Sequence, residues 1–220
     1  MKKVIITGST GMIGGLVLQL CLQNNQISQI VSLVRKSTNL NHPKYLEVLV
    51  DDFNNYDKIS SLFTNVDIIY YCLGAYTGTL PSEAFRKVNF DFPLSLAKSV
   101  VAVSPNANFC LLSGQGADRS EKSKMQFARD KGAVENSLSL IGFKSFHTFR
   151  PGYIYPSKKR KEPNFFYLIT RYLYPIVKIL GKSFSITDEQ LAYVIFSVGL
   201  HGYEKEILEN QDMRLYHFKI

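Results

Sequence analysis

Short apolar runs alternate with segments of helical periodicity along the first two thirds of the chain. The runs have the length of buried parallel strands, and between them apolar residues recur every three to four positions, as on one face of a helix. The predicted strands are residues 4–6, 29–34, 46–50, 66–72, 109–112 and 144–149, and the longer predicted helices are residues 82–103, bent at Pro93, and 121–140. Strands and helices that alternate at this spacing form βαβ units, so the predicted fold class is α/β with a doubly wound parallel sheet.

The pattern changes after residue 152. Residues 1–152 are predicted to form the core, and residues 153–220 a small, mostly helical C-terminal lobe that packs on it without being an independent domain. Residues 165–180 are apolar and aromatic but too short and too charged to span a membrane. A lid over a substrate site, an interface and a membrane-surface helix are the alternatives for this segment. Thr187 and the three polar residues after it have the form of a capping box and predict a helix start.

Three glycines, Gly8, Gly11 and Gly14, separate the first predicted strand from the first predicted helix. In a dinucleotide-binding turn the first glycine permits a tight turn, the second lets the backbone approach the pyrophosphate, and the third lets the helix pack on its strand. The helix N-terminus then faces the phosphates with its positive end. We therefore expect cofactor contacts along this turn, where Thr10, Met12 and Ile13 lie between the glycines; an ordinary glycine-rich loop is the alternative.

Two later strand ends bear on the choice of nucleotide. Arg35 and Lys36 follow the second strand, where an acid selects NAD(H) and a cation accommodates the 2′-phosphate of NADP(H). The sequence thus favours NADP(H), with NAD(H) left open and a basic surface turn as the alternative. Asp52 and Phe53 follow the third strand, where they would bind and cover an adenine ring or cap the next helix.

Composition removes several function classes. The net charge is +8, with a basic run at residues 158–161, but no nucleic-acid-binding motif accompanies it. The three cysteines and four histidines are scattered, so we predict neither a metal site nor a disulfide framework. Lys2 and Lys3 lead into a strand too short for a signal peptide, which favours a cytoplasmic location. Peripheral membrane contact stays open, transmembrane insertion is not expected, and the oligomeric state is undetermined.

Several short motifs occur in an order that identifies a family. They are residues 7–14, 72–74, 88–89, Ser113, 131–132 and 150–152. Together they resemble the atypical short-chain dehydrogenase/reductases, most closely the branch related to Tat-interacting protein, near the sugar-nucleotide epimerases and dehydratases. Residues 207–210 also resemble the C-terminal segment of that branch, so the resemblance covers nearly the whole chain. It implies a Rossmann fold and further cofactor contacts, at Leu73, Gly74, Lys131, Pro151, Gly152 and Ile154.

The resemblance also implies a catalytic set with one member missing. In the family a tyrosine four residues before a lysine is the general acid/base, the lysine orients the ribose and lowers the phenol pKa, and a serine binds the carbonyl. Ser113 and Lys131 match the serine and the lysine, but Phe127 stands at the tyrosine position. A phenylalanine keeps the ring and lacks the proton donor, so ordinary carbonyl reduction should be weak unless another group substitutes.

Several groups are candidates to replace the missing phenol. Tyr76, Tyr153 and Tyr155 follow predicted strand ends, although structural packing is the alternative role for each. Lys131 would donate a proton itself if burial lowered its pKa.

Two functions of different kind therefore compete. The first is an NADP(H)-dependent oxidoreductase of an unknown carbonyl or alcohol substrate, with a related nucleotide-sugar epimerase as a variant of it. The second is an NADP(H)-binding regulatory or interaction protein with impaired catalysis. The aromatic C-terminal segment makes a hydrophobic small-molecule substrate conceivable.

Overall fold

Seven parallel strands form one sheet in the computed structural model, which describes residues 1–157 and 184–216. The strands of this sheet are β1 Lys2–Thr7, β2 Ile27–Val34, β3 Tyr45–Leu49, β4 Ile68–Tyr71, β5 Asn108–Leu112, β6 Ser145–Arg150 and β9 Ile207–Glu209, and β7 Tyr153–Tyr155 pairs separately with β8 Ser185–Thr187. The helices are α1 Met12–Gln23, α2 Ser82–Arg86, α3 Phe92–Val101, α4 Gln126–Ser139, α5 Asp188–His201 and α6 Asn210–Leu215, with a 3₁₀ helix at Asp57–Phe63.

The strand order is β3-β2-β1-β4-β5-β6-β9, and every pairing is parallel. The chain runs outward from β1 to β3 and then crosses back to β4 on the other side of β1. This reversal opens a crevice at the carboxyl ends of β1 and β4, where ligands bind in sheets of this type. The predicted α/β class and doubly wound parallel sheet are confirmed.

Apolar residues on both faces of the sheet build two separate cores. Val4 and Ile6 of β1 point to the side covered by α1 and α5, whereas Ile5 points to the side covered by α3 and α4. All three side chains are fully buried. Because alternate residues of a strand face opposite sides, a central parallel strand must be apolar throughout, which is why the run at the start of the chain is unbroken.

The described residues after 152 complete the sheet. Strand β9 pairs with β6 at one sheet edge, and α5 packs against α1. Helix α5 begins where the capping box predicts, with the Thr187 hydroxyl accepting a hydrogen bond from Gln190 N at 3.2 Å. The basic run at 158–161 and the aromatic segment 165–180 lie outside the described residues. Among the helices that are described, none has the length and apolar character to cross a membrane.

Two helices differ from the predicted bounds. Helix α4 begins at Gln126, not at residue 121, because the Asp118 carboxylate accepts hydrogen bonds from the backbone of Ser120 and Ser123 and holds the intervening chain in a loop. The helix at 82–101 contains a π-helical segment at Lys87–Asp91 directly before Pro93. This segment turns Asn89 inward, where it is 1% exposed.

Candidate active site

The glycine turn after β1 has no room for side chains at two of its three glycines. Gly8 has a φ of +72°, and a Cβ there would lie 2.6 Å from the carbonyl oxygen of Cys72 on the neighbouring chain segment. A Cβ at Gly14 would lie 2.2 Å from the Gly8 carbonyl oxygen. Helix α1 therefore packs directly on the turn, as a dinucleotide-binding motif requires.

The absence of a side chain at the middle glycine, Gly11, has a different explanation. A Cβ at Gly11 would lie 3.2 Å from the Gly8 oxygen, which is tight but leaves the fold intact, and both Thr10 and Gly11 are exposed. Gly11 is the N-cap of α1, and no side chain caps the helix. The first N–H groups of α1, at Met12 and Ile13, therefore have no side-chain acceptor, and an anion at the open side of the turn would supply one.

Lys131 and Asn89 meet at Gly74, beyond the carboxyl end of β4. A Cβ at Gly74 would lie 3.4 Å from Asn89 Oδ1 and 3.8 Å from Lys131 Nζ. The Lys131 ammonium also donates to the carbonyl oxygen of Leu112, at the end of β5, at 3.4 Å. Its side chain thus crosses the sheet edge from α4 and places a cation beside the crevice.

Lys131 is only 5% exposed. Burial lowers the pKa of its ammonium group to about 8, although the charges of Glu135 and Asp130 act in the opposite direction. At neutral pH the group is therefore a cation that gives up its proton far more readily than an exposed lysine.

Asn89 was not identified as a site residue from the sequence. Its Nδ2 donates to the Phe85 carbonyl oxygen at 3.0 Å, and its Oδ1 accepts from Ala75 N at 3.4 Å. The residue ties the π-helical segment to the loop after β4. The only sequence signal was its place in the ordered motifs, because propensity does not distinguish a π-helical turn from an α-helical one.

Phe127 and Gly114 form an apolar contact one turn of α4 before Lys131. A Cβ at Gly114 would lie 2.6 Å from Phe127 Cζ, so the tip of the ring lies directly against the Gly114 backbone. The Phe127 side chain carries no hydrogen-bonding atom, and Gly114 has no side chain. A mainly apolar cavity of about 180 Å³ adjoins the ring, and its lining residues are Thr77, Gly78, Leu80, Phe85, Met125, Gln126 and Phe127.

Ser113 follows β5, and its hydroxyl donates to Oε1 of Glu135 at 2.6 Å. Glu135 lies on α4, four residues after Lys131, with no exposed side-chain surface. Its carboxylate also accepts from Thr148 Oγ1 at 3.1 Å and from two arginines, Arg119 Nε at 3.0 Å and Arg150 Nε at 3.1 Å. Burial raises the pKa of Glu135, but the hydrogen bonds from Arg150 and Ser113 outweigh it, and the net shift is downward.

The two arginines connect this buried carboxylate to the C-terminal part of the chain. Arg119 Nη2 lies 2.6 Å from Glu206 Oε1, and Arg150 Nη1 donates to Glu209 Oε1 at 2.9 Å. The ends of β5 and β6, helix α4 and strand β9 are therefore tied to one another through Glu135. The spacing of four residues from Lys131 put Glu135 on the same helix face, but nothing in the sequence indicated its partners.

The candidate nucleotide-recognition residues divide into exposed and buried ones. Arg35 and Lys36 are exposed directly after β2, and the Asp52 carboxylate is exposed and accepts from Asn54 N at 2.9 Å. The Phe53 ring is buried, with its centroid 5.6 Å from that of Phe92. The ring therefore packs in the core, and a contact of Asp52 and Phe53 with an adenine stays a prediction.

The remaining candidates lie around the carboxyl ends of β4 and β6. Leu73 is partly buried against one core, and Ile154 of β7 is partly buried against the other. Gly152 N donates to Asn210 Oδ1 at 2.9 Å, and Pro151 O accepts from Gln115 N at 2.9 Å, so this turn is held by the segment after β5 and by α6.

The three candidate tyrosines follow the same two strands. Tyr76 lies in the loop after β4, and Tyr153 and Tyr155 lie on β7. Within 1–157 and 184–216, no three or more His, Cys, Asp or Glu side chains cluster as metal ligands do.

Comparison with known proteins gives relatives but no matching family model. HTATIP2 of Rattus norvegicus is 29% identical over 164 residues, which are 74% of this chain and 66% of the rat protein. The mitochondrial protein fmp52 of Emericella nidulans is 26% identical over 169 residues, covering 74% of this chain and 71% of the fungal one. The chain thus spans about two thirds of the length of the rat protein.

Solved structures share the fold at low sequence identity. A short-chain dehydrogenase/reductase from Brucella melitensis has a TM-score of 0.70 at 13% identity, covering 94% of this chain and 93% of that one. The Bordetella bronchiseptica enzyme WbmH, solved in complex with NAD+, has a TM-score of 0.66 at 16% identity, covering 91% and 72%. At these identities the likeness establishes the fold alone.

Proposed function

We propose that this chain, which belongs to the atypical short-chain dehydrogenase/reductases near the branch of HTATIP2 and the fmp52 proteins, is an NADP(H)-binding oxidoreductase of a carbonyl or alcohol substrate. The observation that carries the proposal is the meeting of Lys131 Nζ and Asn89 Oδ1 at Gly74, beside the glycine turn. Burial of an ammonium group is unfavourable, so the position of Lys131 is better explained by a ligand than by packing.

The residues around the crevice fit a nicotinamide dinucleotide. Gly8 and Gly14 keep the turn tight, and the exposed Gly11 leaves the α1 N-terminus open to a pyrophosphate. Lys131 Nζ offers a donor and Asn89 Oδ1 an acceptor for the hydroxyls of a ribose. When bound, the dinucleotide supplies or accepts a hydride.

We assign the preference for NADP(H) to Arg35 and Lys36. Both are exposed after β2, and the segment from residue 35 to 39 contains no carboxylate that would repel a 2′-phosphate. Nearby Glu47 accepts a hydrogen bond from Thr38 N at 3.0 Å, which fixes its carboxylate on the loop after β2. In fluorescence titrations NADPH should bind more tightly than NADH. The double variant Arg35→Ala/Lys36→Ala should lower the affinity for NADPH about 10- to 100-fold. NADH binding should not change, and equal losses for both nucleotides would contradict the assignment.

A non-catalytic NADP(H)-binding protein is the second candidate, favoured by the contact of Phe127 with Gly114. Oxidation of NADPH with benzaldehyde or acetophenone as probe carbonyls separates the two functions. Binding without oxidation above the buffer rate supports the second candidate. Oxidation that tracks protein concentration supports the first. The cytoplasmic location stays a prediction, since the fungal relative is named mitochondrial.

A further inference from the structure

The Ser113 hydroxyl has only one proton, and that proton is already engaged in a hydrogen bond within the protein. It is directed at the Glu135 carboxylate, 2.6 Å away, in a charge-assisted hydrogen bond. A hydroxyl that turned toward a substrate carbonyl would give up the shortest of the three hydrogen bonds that Oε1 of this buried carboxylate accepts, which is unfavourable. The strand end that should present a carbonyl-binding serine therefore presents a hydroxyl that serves the protein interior.

The neighbouring positions offer no replacement hydroxyl. Phe127 has none, and its ring lies against Gly114, which has no side chain. Lys131 is one helical turn further along α4 and carries three N–H bonds, of which one donates to Leu112 O at 3.4 Å. Nζ also lies 3.8 Å from the position that a Gly74 Cβ would occupy, so its remaining N–H bonds are at the sheet edge.

We propose that the Lys131 ammonium both hydrogen-bonds the substrate carbonyl oxygen and transfers a proton to it, and that Glu135 is the positioning residue that holds Ser113 out of the reaction. The proposal rests on the proposed dinucleotide binding. The carbonyl carbon gains a hydride from the bound dihydronicotinamide, which is oxidised. The C=O π bond breaks, and its electron pair forms the new O–H bond with the proton that leaves Nζ. The neutral amine of Lys131 then regains a proton from water.

The charges around Lys131 are compatible with this role. Asp130 and Glu135 lie on its own helix, but each is neutralised from another element. Arg86 of α2 donates to Asp130 Oδ1 at 2.7 Å, and Arg119 and Arg150 hold Glu135. Burial therefore dominates and keeps the pKa of the ammonium near neutrality, the range that suits a general acid.

The first experiment measures the titration of Lys131 in the protein without cofactor. Competitive acetylation, read out by mass spectrometry across pH, should give Lys131 a midpoint near pH 8, below the ordinary lysine value, with the exposed Lys98 as the comparison. The rate of NADPH oxidation with benzaldehyde should fall at high pH with the same midpoint. A Lys131 curve that coincides with that of Lys98 overturns the proposal.

The second experiment uses Lys131→Arg, which keeps the charge and the donors but does not release a proton near neutral pH. NADPH affinity should stay within a few-fold, whereas benzaldehyde reduction should fall about 100-fold or more. Reduction at the original rate by Lys131→Arg overturns the proposal, and so does a loss of the same size in Tyr76→Phe, Tyr153→Phe or Tyr155→Phe.

The third experiment isolates Ser113 with a matched control. Ser113→Ala and Thr148→Val each remove one hydroxyl donor from Glu135 Oε1. If Ser113 acts only through Glu135, the two variants should lower turnover by similar small factors. A loss of about 100-fold in Ser113→Ala alone would mean that the serine contacts the substrate, and the proposal would be wrong. NADPH binding without any turnover also overturns the proposed role of Lys131. If the protein does not bind NADPH at all, the proposed function is itself wrong.

Discussion

Replacing Lys131 by methionine should stabilise the protein while abolishing its proposed function. The side chain is 5% exposed, and burial lowers the pKa of its ammonium from 10.5 to about 8. One pKa unit corresponds to about 1.4 kcal/mol, so holding this charge in the folded protein costs about 3 kcal/mol at neutral pH. Methionine has a similar length and carries no charge, so Lys131→Met should regain about 2–3 kcal/mol and lose NADPH binding.

The stabilisation by Lys131→Met should depend on pH, and the direction of this dependence follows from the lowered pKa of Lys131. The folded pKa lies below the unfolded one, so between about pH 8 and 10.5 the unfolded chain binds more protons, and the stability of the unmodified protein rises with pH there. The advantage of Lys131→Met should therefore be complete below pH 8 and disappear by about pH 10.5.

Urea denaturation followed by circular dichroism measures this difference directly, with Lys98→Met as control. Lys98 is exposed on α3, and its replacement should change the free energy of unfolding by less than about 0.5 kcal/mol. A Lys131→Met variant with no gain, or with the same gain at pH 7 and pH 10, would refute the reasoning.

Three further predictions concern the frame of the site. Glu135→Ala should lower the free energy of unfolding by about 3–5 kcal/mol in urea denaturation, because Arg119 and Arg150 would lose a buried partner; a change below about 1 kcal/mol would contradict this. Gly11→Ala should keep a native circular dichroism spectrum and lower the affinity for NADPH in fluorescence titration. Gly14→Ala should not fold, because its Cβ would lie 2.2 Å from the Gly8 carbonyl oxygen; similar behaviour of the two variants would contradict their separate roles. Thr187→Ala should cost about 1 kcal/mol by thermal denaturation, through loss of the α5 cap, with NADPH affinity unchanged.

The sheet was predictable because its signals are local. A central parallel strand must be apolar on both faces, and the residues around Ile5 satisfy this without reference to any other part of the chain. The glycine turn is also local, since Gly8 and Gly14 contact residues of the turn itself or of the adjacent strand end. The Thr187 cap of α5 is local as well, because its hydroxyl accepts from Gln190 N, three residues further along the chain.

The chemistry of the site was less predictable because it depends on distant partners. Ser113 has the motif position of a carbonyl-binding group, but its hydroxyl faces Glu135, and no local pattern reveals which way a hydroxyl turns. Phe53 follows a strand end as a ligand-binding aromatic would, yet helix α3 brings Phe92 against it. The inward position of Asn89 depends on a π-helical segment, which has no sequence signature of its own.

The contact between Gly114 and Phe127 makes the two positions mutually dependent. Any side chain at 114 would begin 2.6 Å from the ring, too close for two carbon atoms. A serine introduced at 114 alone should therefore be rejected, and the same serine should be accepted once residue 127 has become small. The order in which substitutions are made at these two positions therefore decides which of them the fold tolerates.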